Sequence, residues 1–126
     1  MSKIGKVVLV PNYSNPYVII ANGAKFPKAL ALVRTTDNLK RTLKLSEGDI
    51  EKIDYQGRKL ENRSVELNQI TSIYNLKIRE IGVLTEDACF KLLRNFVTEQ
   101  ASQGATSSSY LEVRDEVHDY LIKRMK

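Results

Sequence analysis

One stretch in the last third of the chain decides the fold, 73-IYNLKIREIGVLTEDACFKLLRNFV-97, because the spacing of its apolar residues changes partway. Before Gly82 apolar and polar residues alternate, a period of two that predicts a β-strand over 73–81. After Gly82 the apolar residues recur every three or four positions, which predicts an amphipathic helix. Thr85, followed by two acids, is typical of the start of that helix.

The residues before this stretch carry further strand signals separated by turns. Two β-branched runs, at 6–10 and 17–21, flank a segment rich in Pro, Asn and Ser at 11–16, and together they predict a hairpin. Further strands are predicted at 29–33, 42–45, 50–55, 58–60 and 65–67. The first two thirds of the chain are therefore expected to form a sheet.

A second helix is predicted at the end of the chain. Residues 101–108 have the small polar composition of a flexible connector, and Ser109 with Glu112 matches a capping box. The apolar stripe of this helix consists of Tyr110, Val113, Val117, Tyr120 and Leu121. Strands first and helices afterwards predict an α+β fold, with a mostly antiparallel sheet in the N-terminal two thirds followed by two C-terminal helices.

The length of 126 residues suits one domain covering 1–126. Within it, 1–83 is the basic, β-rich part and 84–126 is a helical hairpin. Neither helix could bury its stripe alone, so the stripes must pack on the sheet, on each other or on a second copy. The last arrangement would be a homodimer through the C-terminal helices.

The charge is unevenly distributed along the chain. The formal net charge is +5, and 1–83 holds 14 Lys and Arg against 8 Asp and Glu. A basic surface of this kind attracts polyanions. The single cysteine, Cys89, allows no intrachain disulfide, and no targeting or membrane-spanning segment is visible. We therefore expect a soluble cytoplasmic protein with no membrane attachment.

The residues that most enzymes need are scarce. The chain has one histidine, His118, among carboxylates, and one cysteine, Cys89, on the predicted apolar stripe of the first helix. That set cannot supply a zinc site, and the glycines do not form a phosphate-binding loop. We expect a non-enzymatic protein with no cofactor and no metal.

The sequence features that indicate a function are basic and aromatic residues on the predicted sheet. Arginine and lysine neutralise phosphates, and tyrosines stack on bases; Tyr13, Tyr17 and Tyr55 are available. The predicted nucleic-acid-binding residues are Lys40, Lys44, Arg58, Lys59, Arg63, Lys77 and Arg79. They would form one surface if the strands carrying Lys40 and Lys44 neighbour the strand carrying Lys77 and Arg79.

A second candidate site lies in the helical part. An arginine and an aromatic ring beside a flexible loop can hold a nucleotide, since the guanidinium binds phosphate while the ring stacks on the base. The alternative ligand-binding residues are Phe90, Arg94, Tyr110 and Arg114.

These features support three hypotheses of function. The first is a protein that binds nucleic acid, or another polyanion, through a basic sheet face. The second is an interaction inhibitor or adaptor of the viral or mobile-element type, which docks on an acidic partner protein. The third is a dimeric sequesterer of a small nucleotide-like ligand.

Overall fold

The computed structural model of the chain describes residues 3–23, 25–35, 41–51, 63–74, 77–104 and 108–125. The strands are β1 (Lys6–Leu9), β2 (Tyr17–Ala21), β3 (Lys28–Arg34), β4 (Thr42–Lys44), β5 (Ile50–Glu51), β6 (Arg63–Ser72) and β7 (Arg79–Leu84), and the helices are α1 (Glu86–Ser102) and α2 (Ser108–Met125). The predicted α+β fold is confirmed: a curled antiparallel sheet is followed by two helices. In the described part of the chain, neither helix is long and apolar enough to cross a membrane.

The strands form one seven-stranded sheet in the order β4-β6-β3-β2-β1-β7-β5, and every described pair is antiparallel. The predicted hairpin of β1 and β2 is present, with Val7 opposite Val18. β4 begins at Thr42, as the sequence pattern predicts. The edge strand β4 is only three residues long, which limits the unpaired edge on that side of the sheet.

The core lies between the sheet and the helices. Alternate residues of the central strands, such as Val18 and Leu30, pack with Leu92, Leu93 and Phe96 of α1, all of them fully buried. Leu45 and Ile50, from the regions of the two edge strands, belong to the same cluster. The sheet therefore curls around α1 and covers it from both edges.

α1 begins as the sequence predicts, because the Thr85 side chain accepts a hydrogen bond from the Ala88 backbone N–H at 3.1 Å. Near its other end, the buried Gln100 amide donates to the Leu67 carbonyl of β6 at 3.1 Å. This bond satisfies a polar group inside the core. α1 is thus fixed to the sheet by its apolar stripe and by one buried hydrogen bond.

α2 is fixed at its periphery by acidic side chains. The Glu116 carboxylate accepts from the backbone N–H groups of Asn22 at 2.6 Å and Gly23 at 3.1 Å. Glu112 lies 2.9 Å from the Lys28 ammonium of β3. Tyr110 is buried and meets Phe96 edge-on, with 5.7 Å between the ring centroids. The apolar stripe of α2 therefore packs within this chain.

The predicted strand over 73–81 is wrong in its first part. β6 continues to Ser72, well beyond the predicted 65–67, whereas the next strand begins only at Arg79 and runs through Gly82 to Leu84.

The reason lies in the order of the strands, since β6 holds the second position and β7 the sixth. The connection between them must pass β3, β2 and β1. Ile73 and Ile78 pack on the sheet face opposite the helices, against Val8, Val10, Ile19 and Ala29. Ile73 is 2% exposed and Tyr74 66% exposed. Ile73 and Ile78 are of opposite parity, so their burial does not follow one alternating face. Both pack on the sheet outside β6 and β7, and an apolar pattern does not distinguish such packing from a strand.

One smaller prediction is wrong, and another falls mostly on residues outside the described ranges. α2 begins at Ser108, so Ser109 lies inside its first turn and does not cap it. Of the predicted hairpin over 50–60, the structure describes only β5, Ile50–Glu51, which pairs with β7.

We expect Gly23→Ala to destabilise the protein by at least about 2 kcal/mol. Gly23 has φ +70°, and a Cβ at this position would lie 2.1 Å from the Phe26 carbonyl oxygen. The substitution would also displace the backbone N–H that Glu116 binds. Urea unfolding measures the change, and Gly48→Ala is the control because a Cβ there meets no atom within 4 Å. Equal stability of the two variants would contradict this account of the turn.

Candidate nucleic-acid interface

Three basic residues lie together on neighbouring strands at one corner of the sheet. Arg34 ends β3, Arg63 begins β6 and Lys44 ends β4. β6 lies between the other two strands and pairs with both. Arg34 is directly opposite Arg63, and Lys44 is opposite Ser64. We call Arg34, Lys44 and Arg63 the basic corner.

The arrangement of the basic corner is electrostatically unfavourable by itself. Residues directly opposite each other in an antiparallel pair are close neighbours, and like charges in such a pair destabilise the sheet. Arg34 and Lys44 are exposed and Arg63 is half-buried. Among the described residues, no acidic side chain lies within 4 Å of any of the three cations. An anion bound between the arginines would relieve their repulsion.

Nearby Arg41 shows the contrasting case. It lies just before β4, and its guanidinium is 3.3 Å from the Glu99 carboxylate of α1. That pair joins the sheet to the helix. The charge of Arg41 is therefore compensated by Glu99, whereas the described residues provide no such carboxylate to the cations of the basic corner.

Of the seven predicted sheet residues, Lys44 and Arg63 lie at the same corner of the sheet but on opposite faces, and Arg34 joins Arg63 on its face. Arg34 was missed because it ends an apolar run, and only the pairing of β3 with β6 sets it against Arg63. Arg79 is the first residue of β7 and Lys77 lies just before it. β7 is separated from β6 by β3, β2 and β1. The condition for one joint surface is thus not met. Three of the predicted residues, Lys40, Arg58 and Lys59, lie outside the described residues.

Two tyrosines lie on the sheet face opposite to Arg34 and Arg63, since Tyr17 packs with the cluster away from the helices whereas the two arginines are in phase with the helix-side core. The Leu32 backbone N–H donates to the Pro16 carbonyl at 2.8 Å, which places the start of β2 beside the last residues of β3. Tyr13, 45% exposed, meets Tyr17 edge-on at 5.5 Å between centroids. Burial raises the pKa of Tyr17, whose hydroxyl hydrogen-bonds the Thr71 side chain of β6. Tyr17 is thus held across β3, and Tyr13 remains accessible.

The predicted helical site is only partly assembled. Arg94 lies over the Phe90 ring, 5.6 Å from its centroid, on the outer side of α1. Tyr110, in contrast, is a core residue. Arg114 is half-exposed, and its guanidinium lies 3.6 Å from the neighbouring Asp115. Phe90 and Arg94 therefore form a pair that does not include the two residues of α2.

Cys89 is buried and contacts Tyr120. Burial raises the pKa of the Cys89 thiol, an effect that its hydrogen bond with Tyr120 and the charge of Arg124 partly offset. Burial, together with the Cys89 contact, raises the pKa of Tyr120 well above its ordinary range. Neither group is ionised near neutral pH, so this pair is not poised for nucleophilic chemistry.

Within the described ranges, no group of three or more His, Cys, Asp and Glu residues could hold a metal ion. The sequence matches no protein-family model, and comparison with curated proteins yields no match.

We expect the free energy of unfolding to fall as the pH rises above about 9. In the native state the pKa of the Cys89 thiol and the pKa of the Tyr120 hydroxyl are raised above their ordinary values of 9.0 and 10.0. The unfolded chain therefore loses them first, and alkaline pH favours unfolding.

Urea unfolding of wild type and Tyr120→Phe at about pH 7 and about pH 10 measures this effect. The variant should lose less stability between the two conditions. Tyr74→Phe, which removes the hydroxyl of an exposed tyrosine, should behave as wild type. An identical alkaline loss in wild type and Tyr120→Phe would contradict the assignment.

Proposed function

We propose that the protein binds nucleic acid, with the basic corner as its phosphate contact. The observation that carries this proposal is the direct cross-strand pairing of Arg34 with Arg63, with no acidic partner within 4 Å in the described part of the chain. Arginine offers a planar set of donors that matches the oxygens of a phosphate. Two such groups on adjacent strands suit a phosphodiester backbone.

The partial burial of Arg63 supports the same proposal. Arg63 is half-buried as a residue, so its side chain is more restricted than that of a fully exposed lysine. It would therefore lose less conformational entropy on binding a phosphate. Lys44 pairs with Ser64 and therefore lies on the other face of the sheet, where it would raise the local positive potential without contacting the same phosphates.

The other face of the same sheet offers a surface for bases. Tyr13 is exposed there beside Tyr17, and an aromatic ring can stack on any base. A strand that contacts Arg34 and Arg63 would reach this ring only by passing the end of β3, so Tyr13 would be a second contact outside the phosphate path. An acidic protein has no bases to stack on it.

We expect Arg34→Gln/Arg63→Gln to weaken binding of a mixed-sequence oligonucleotide at least about tenfold, since hydrogen bonds to charged groups contribute about 1.5–3 kcal/mol each. The slope of log K against log salt should also become shallower by about 1.4 for a single strand, at ~0.7 per lost phosphate contact. Fluorescence anisotropy over a salt series measures both quantities.

The matched control is Arg114→Gln/Lys123→Gln on α2, which removes the same net charge from exposed positions. It should leave the salt slope nearly unchanged. Equal weakening by the two double variants would show that net charge alone drives binding, and the assignment to the basic corner would be lost. Failure of the wild type to bind any oligonucleotide, together with retention of an acidic protein partner, would favour the adaptor hypothesis.

A further inference from the structure

A cavity lies on the outer side of α1, away from the sheet and from the basic corner. Its volume is about 300 Å³. Its described lining consists of Phe90, Lys91, Arg94, Asn95 and Thr98. These positions follow one another at helical spacing, so they share one face, opposite the buried stripe of Leu92 and Phe96.

The described lining carries two positive charges and no carboxylate. Neither Lys91 nor Arg94 has an acidic side chain within 4 Å among the described residues. Its occupant is therefore expected to be an anion.

The guanidinium of Arg94 is partly positioned in advance. It lies over the Phe90 ring at 5.6 Å from the centroid, a cation–π distance. A side chain held in this way loses less conformational entropy when it binds a ligand. Phe90 is half-buried, so the exposed part of its ring adds an apolar surface beside the two charges.

The two polar side chains of the lining present acceptors. The Asn95 amide donates to the Lys91 carbonyl at 2.8 Å, and the Thr98 hydroxyl donates to the Arg94 carbonyl at 3.0 Å. One Asn95 N–H and the Thr98 hydroxyl hydrogen are directed to the helix backbone, so the Asn95 carbonyl oxygen and the Thr98 hydroxyl lone pairs can accept hydrogen bonds from a ligand, and the second Asn95 N–H can donate one. The site thus combines cations, an aromatic surface and acceptors.

We propose that this cavity binds a mononucleotide, with its phosphate on Arg94 and Lys91. A nucleotide joins an anionic group to a planar ring and to hydroxyl and amino donors, and each of these parts has a counterpart in the lining. The volume is at the lower end of ligand pockets, which suits a single nucleotide better than a polymer or a dinucleotide. This site is independent of the basic corner, because it is built on a different element.

The test uses titration of the full-length, isotope-labelled protein with adenosine monophosphate, followed by NMR of the backbone amides. Saturable shifts should centre on residues 90–98. Arg94→Gln should weaken binding at least about tenfold, because it removes a charged hydrogen-bond partner. Arg94 is exposed, so the variant keeps the core intact. Arg114→Gln is the matched control on α2 and should bind as wild type.

Two further measurements separate this site from the proposed nucleic-acid interface. Arg34→Gln/Arg63→Gln should retain nucleotide binding, and Arg94→Gln should retain oligonucleotide binding. Absence of saturable shifts at millimolar nucleotide, or equal affinity for inorganic phosphate and adenosine monophosphate, would overturn the proposal. So would shifts that centre on the basic corner and persist in Arg94→Gln.

Discussion

Burial of one side of α1 by the curled sheet is the interaction on which the rest of the structure depends. Leu92, Leu93 and Phe96 are fully excluded from solvent, and burial of such a side chain contributes about 1.5–3 kcal/mol. A flat sheet could cover only one face of a helix. Since Leu45 and Ile50 also belong to this core, the sheet must curl. The same packing leaves the opposite side of α1 facing outward, where the cavity lies.

The parts of the fold that local patterns encode were predictable. The hairpin of β1 and β2, the start of β4 and the start of α1 all follow from residue spacing, turn residues and a cap, which act over a few positions. The crossing segment that contains Ile73 and Ile78 was not predictable in the same way. An alternating pattern indicates that one side of a segment is buried, but it does not indicate whether the backbone pairs with a neighbouring strand. The strand order could not be predicted from the sequence either, because it depends on contacts between residues that are distant in sequence.

The candidate interface shows the same limit. Lys44 and Arg63 were identified because each lies on or beside a predicted strand, but Arg34 was not, since only the register of β3 against β6 sets it opposite Arg63. Tyr110 was assigned to a ligand site because it stands beside a polar loop. Its position along the helix also fits the apolar stripe. Because Tyr110 packs against Phe96, it is a core residue and not part of a ligand site.

The distribution of ion pairs separates cations that hold the fold from cations available to a ligand. Lys6, Lys28, Arg41 and Arg124 each pair with an acid on another element: Glu80, Glu112, Glu99 and Glu86. Each such pair contributes little to stability at an exposed position, but it neutralises the cation where the elements meet. Arg34 and Arg63 have no such acid within 4 Å among the described residues, and their opposition weakens the sheet. Within the described part of the chain this pair adds no stabilising contact, and the phosphate contact proposed above would offset its repulsion.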